Sequence, residues 1–142
     1  MTQSLTAHAS TVVNRPAAEV WRALVTPASI KEYMFGTNAQ SDWKEGSPIT
    51  WKGEWQGKAY EDKGVIKRID QNRTLQYTHF SPLAGLPDKP ENYHTVTITL
   101  TPEGNGTRVS LSQDNNADEQ DRDHSQKNWE MMLGGLKKFV EK

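Results

Sequence analysis

Proton chemistry at neutral pH falls first to histidine, and the chain carries four: His8, His79, His94 and His124. None stands at i, i+4 from another or beside a carboxylate in the zinc-hydrolase pattern, so no metal site is expected. Tyr77 and His79 lie two apart. On a strand they point the same way and could together donate and accept protons, as acid–base chemistry on a keto or enol group requires. The competing reading is a core Tyr and a core His, each bonded to a neighbouring carbonyl. Ser81 and Ser110 sit in turn and strand contexts, and no Gly-x-Ser-x-Gly elbow presents a nucleophile. The stretch Asp114-Asn115-Asn116-Ala117-Asp118 begins like a calcium loop, but Glu119 replaces the required sixth-position Gly and Ser125 the bidentate twelfth-position Glu. Gly53-Glu54-Trp55-Gln56-Gly57-Lys58-Ala59 is one residue short of a phosphate loop and ends in Ala, so a hairpin explains it better.

Rings form the other conspicuous group. Five Trp, four Tyr and three Phe can each bury ~150–250 Å². Trp51, Trp55, Tyr60, Tyr77 and Phe80 either line a ligand cavity or fill the core, while Trp21 and Trp129 read as packing anchors between helix and sheet. Gly134-Gly135 sits within a helical pattern at a cost of ~1 kcal/mol per glycine. Either the helix and sheet backbones approach closely there, or room is kept for a ligand beside Met131, Met132 and Leu136.

The elements that must position these residues can be read from periodicity. Ser4 to Val13 reads as a strand. Asn14 or Arg15 stands where a helix N-cap belongs, with Pro16 preset for the first turn. Ala17, Val20, Trp21, Leu24 and Val25 recur on one helical face until Pro27, and a second short helix runs from Ala28 to Phe35 and stops at Gly36. From Thr37 to Asn115 the period becomes two. Ile49, Trp51 and Trp55 alternate with polar residues, and a Gln56-Gly57 turn puts Tyr60 opposite Gly53 on the Trp51 face. Val65, Ile66 and Ile69 continue the return strand to Asp70-Gln71-Asn72, after which Leu75, Tyr77 and His79 share a face. Val96, Ile98 and Leu100 alternate with threonines, and Asn105-Gly106 turns the chain into Thr107, Val109 and Leu111. Six consecutive antiparallel strands result. Trp129, Met132, Leu133, Leu136, Phe139 and Val140 then make the apolar stripe of a long C-terminal helix, acidic near its start and basic near its finish.

At 142 residues and a net charge of −1, the chain is one domain, 1–142, without the charge excess that nucleic acid or an anionic membrane would select. It has no cysteine, hence no disulfide, thiolate nucleophile or sulfur-ligated zinc. No apolar run is long enough for a signal peptide or a membrane span, so a cytoplasmic location is expected. A long helix can cover the apolar face of such a sheet, an α+β arrangement.

The order strand, two helices, six strands, long helix resembles the helix-grip fold of the START/Bet v 1-like (SRPBCC) superfamily. Within it the sequence is similar to the family named after the activator of the 90-kDa heat-shock protein ATPase. Asn14-Arg15-Pro16-Ala17-Ala18-Glu19-Val20-Trp21-Arg22-Ala23-Leu24 matches the family's Pro-x-x-x-Val-Trp-x-x-Leu opening. Trp43-x-x-Gly46, Gly64-Val65-Ile66, Leu75-Gln76-Tyr77-Thr78, Gly106-Thr107-Arg108-Val109 and Trp129-x-x-x-Leu133-x-x-Leu136-Lys137 follow in family order. The resemblance implies a curved sheet of about seven strands (β-α-α-β6-α) around the C-terminal helix, with a cavity between them. The first expectation is an apolar or aromatic small molecule bound there without turnover or cofactor, against Met34, Phe35, Trp51, Trp55, Tyr77, His79, Met132 and Leu136. Two alternatives accompany it: a co-chaperone that activates the heat-shock ATPase in a stress response, and a cyclase-like enzyme using Tyr77 or His79. The eukaryotic co-chaperones carry an additional N-terminal domain, whereas this sequence opens at the helix-grip strand, so chaperone activation ranks second.

Overall fold

The computed structural model describes residues 5–34, 36–55, 57–82 and 85–142, Trp55 through its backbone only. Its elements are β1 (Leu5–Val13), α1 (Ala17–Leu24), α2 (Pro27–Tyr33), β2 (Asn38–Ser41), β3 (Pro48–Trp55), β4 (Lys58–Asp70), β5 (Thr74–His79), β6 (His94–Glu103), β7 (Gly106–Asn116) and α3 (Glu119–Val140). A 3-10 turn, Pro90–Asn92, lies in the loop before β6. The strands form one antiparallel sheet in the order β1-β7-β6-β5-β4-β3-β2. This is the helix-grip α+β fold.

Alternation decides which face is covered. Val96, Ile98 and Leu100 of β6 are buried, and so are their partners Gln113, Leu111 and Val109 on β7. Bulges between Leu5 and Ala7 and between Ile66 and Arg68 bend the strands that carry them. The two-residue loop between Trp55 and Lys58, with Gly57 at φ +83°, fixes the register that sets Tyr60 opposite Gly53 and Asp62 opposite Trp51.

Three local expectations are corrected. Pro16 itself occupies the N-cap of α1: its carbonyl accepts from Glu19 and Val20 while no side chain caps the helix. Pro27 does more than stop α1, since it is the first residue of α2, where its fixed φ and missing N–H suit a helix start. The β6–β7 turn is Gly104-Asn105, with Gly104 at φ +58°. Gly106 instead opens β7 opposite Glu103, and a Cβ there would strike the Val13 carbonyl.

Helix α3 lies over the buried face of the sheet. Asp118 caps it, accepting from the Asp121 N–H at 2.8 Å, and the Asp121 carboxylate accepts from Ala117 N–H at 3.1 Å. Met132, Leu133 and Leu136 are fully buried, while Trp129, Phe139 and Val140 at the ends of the stripe are partly so. Polar locks hold both ends. The Trp129 indole donates to Gln113 on β7, and Ser125 and Gln113 both donate to the Asn116 side-chain oxygen. At the far end Lys137 donates to the Val12 carbonyl at 2.7 Å, and Glu141 accepts from both Lys137 and the Asn14 N–H. That contact with Lys137, with help from Asn14, holds the Glu141 carboxyl below its ordinary range.

Candidate functional site

Between the sheet and the helices lies a small, partly open apolar hollow. Its walls are Leu24 of α1, Ile30 and Tyr33 of α2, Met34 and Trp43 beyond it, Ile49 and Trp51 of β3, Leu75 and Tyr77 of β5, Ile98 of β6 and Met132 of α3. The free volume is about 20 Å³, room for roughly one water. Trp51 and Tyr77 meet with ring centroids 5.1 Å apart at 48°. The Tyr33 hydroxyl donates to the Ala23 carbonyl at 2.9 Å, tying α2 to α1 under the hollow. Burial pushes the phenols of Tyr33 and Tyr77 well above their ordinary value, so both stay protonated donors. Met34 and Trp43 are only half-buried and stand in irregular backbone, Trp43 at φ +56°.

Of the residues expected at a site, Met34, Trp51, Tyr77 and Met132 line this hollow. Leu136 is completely buried one turn further along α3 and is not among the lining side chains. Phe35 and the Trp55 side chain lie outside the described residues. His79 does not line the hollow; its ring packs against Trp51, centroids 5.1 Å apart. The close approach at Gly134-Gly135 is to a helix and not to the sheet. A Cβ on Gly135 would come 3.3 Å from the Tyr33 carbonyl, a close approach to α2, whereas one on Gly134 would meet nothing within 4 Å.

A polar row borders the hollow at one end of the same face. Tyr60 and Thr37 share a hydrogen bond at 2.6 Å, and His79 Nε2 lies 2.9 Å from Asp62 Oδ2. Beyond them the His94 ring stands 6.3 Å from that of His79 and its Nδ1 donates to the Asp114 carbonyl at 2.9 Å. Antiparallel pairing from Ile66 opposite Tyr77 brings His79 level with Gly64, where the closeness of the Thr78 carbonyl excludes any Cβ. No side chain then separates the imidazole from Asp62. Because a carboxylate only accepts, Nε2 carries the proton in this pair. The other Asp62 oxygen, Oδ1, is buried and has no hydrogen-bond partner among the described residues. As site residues, Asp62, Trp43 and Tyr33 escaped the sequence reading, which met Trp43 only in the Trp43-x-x-Gly46 motif. Asp62 looks like an outward charge in an alternating strand until the register sets it opposite Trp51.

No group of three or more potential metal ligands exists among the described residues. No described helix is long and apolar enough to cross a membrane.

A sheet gripping a long helix over an apolar hollow places the chain among helix-grip proteins. Residues 14–141 match the family described as Activator of Hsp90 ATPase homolog 1-like protein, and the chain belongs to that family. It is similar to ChR145 from Cytophaga hutchinsonii, whose solution structure shares 60% identity over 99% of this chain and 97% of that one, with a TM-score of 0.86. The Aha1 dimer from Colwellia psychrerythraea, at 19% identity over 96% of each chain and a TM-score of 0.75, shares the fold. So does the protein CV1439 from Chromobacterium violaceum, at 22% identity over 96% of this chain and 97% of that chain, with a TM-score of 0.77. No curated protein sequence matches the chain.

Proposed function

We propose that the chain binds a small, flat apolar or aromatic molecule in the hollow between the sheet and the helices, without turning it over. The observation that carries this reading is the composition of the walls. Tilted rings, aliphatic side chains and two methionines from separate elements converge on one point, the usual make-up of a small-molecule site. The present 20 Å³ is far below the ~150 Å³ of an apolar cavity that binds a single benzene. Binding therefore requires the wall to open. Met34 and Trp43 are the half-buried members of the wall, and methionine's flexible thioether adapts its shape readily. Opening costs part of the binding energy, so the expected affinity is micromolar or weaker. Tyr77 and His79 face different neighbours, the one in the hollow and the other beside Asp62, which favours binding over paired acid–base catalysis.

The test uses N-phenyl-1-naphthylamine, a neutral probe whose emission rises in apolar surroundings. The reading predicts a saturable rise with the unaltered protein and a weakened one with Met34→Trp, which fills the edge of the hollow. A linear, unsaturable response that Met34→Trp leaves unchanged contradicts it.

A further inference from the structure

We infer that Asp62 and His79 form a head-group site for a hydroxyl, so that the ligand is an amphiphile with a proton-donating end. This rests on the binding reading above and specifies its ligand. Asp62 stands opposite Trp51 across the β3–β4 pairing, and His79 is two residues beyond Tyr77 on β5. Both therefore occupy the sheet face that carries the rings of the hollow, one step past them. The His79 ring packs against Trp51 itself. A molecule lying along Trp51 and Tyr77 thus reaches the pair without leaving the face.

The chemistry of the pair selects the head group. Asp62 Oδ2 is occupied by His79, while Oδ1 is buried and unpaired among the described residues. A carboxylate oxygen shut from water without a donor is costly, and a donor brought by a ligand removes that cost. With Oδ2 accepting from His79 Nε2–H, the open position of the pair is Asp62 Oδ1. A carboxylate oxygen accepts and cannot donate. A phenol or alcohol donates its one proton to Asp62 Oδ1, a hydrocarbon leaves that oxygen unsatisfied, and a carboxylate is repelled by Asp62.

Three ligands of one shape separate these cases: 2-naphthol, 2-methylnaphthalene and 2-naphthoate, titrated at one fixed pH by following the tryptophan indole N–H resonances. The expected order is 2-naphthol tightest, by about tenfold over the methyl compound, with 2-naphthoate weakest. Asp62→Asn puts an amide N–H in place of one carboxylate oxygen, so 2-naphthol should lose its lead and 2-naphthoate should gain. Should that variant fail to fold, the order with the unaltered protein decides alone. Equal, saturable binding of naphthol and methylnaphthalene overturns the head-group site while leaving the hollow standing. Tighter binding of naphthoate than naphthol overturns it as well. Failure of all three to bind overturns the hollow and the head-group site together.

Discussion

Tyr77 and Tyr33 are buried phenols, and burial raises both above the value they have in the unfolded chain. The folded state therefore holds their protons more tightly. Their contribution to stability is complete below the unfolded value of about 10 and is lost progressively as pH rises past it. The melting temperature should fall steeply in that alkaline range, and Tyr77→Phe, which keeps the ring against Trp51, should make the fall shallower. An identical alkaline slope in the variant would show that Tyr77 is solvated. At this scale the sequence told much about which side chains turn inward and less about how deep each lies. Alternation and helical period placed Trp51, Tyr77 and Met132 on the covered face, and all three line the hollow, together with Met34, which no period had placed. Leu136 shares the stripe with Met132 but packs a turn away; periodicity fixes a face and carries no information on position along it. Asp62 was illegible because its partner His79 is set by the pairing of β4 with β5 and by the bare backbone at Gly64.

The elements follow from local rules where those rules act alone. The strictly alternating β6, the Gly57 turn and the Asp118 cap each come from residues a few positions apart. Where two elements meet, the rules compete. Gly106 suggested a turn, yet its missing side chain serves the approach of β1. The glycine pair of α3 makes the same distinction testable. Gly134 faces open space, so Gly134→Ala should stabilise by roughly 0.5–1 kcal/mol through helix propensity. Gly135→Ala gains the same propensity but presses its Cβ to 3.3 Å from the backbone carbonyl of Tyr33, so it should melt below Gly134→Ala. Thermal melts of the two variants check this, and equal gains would show that α2 yields freely to α3.

As a whole molecule, the chain keeps its apolar hollow nearly closed under α2 and α3. The sequence order of strand, paired helices, six strands and long helix carried the fold almost completely, because each hairpin neighbours the last and only β1 pairs at a distance, with β7. It could not carry the size of the hollow, which depends on how side chains from separate elements interlock. The central claim is that this hollow opens to admit a ligand, and the methionines report on it directly. Met34 and Met132 line it, whereas Met131, 59% exposed on α3, does not. Methyl spectra of the ¹³C-methionine-labelled protein, recorded during titration with 2-naphthol, should show saturable shifts at Met34 and Met132 with Met131 unmoved. Shifts at Met131 alone, or no saturable shift at Met34 and Met132, would contradict the account.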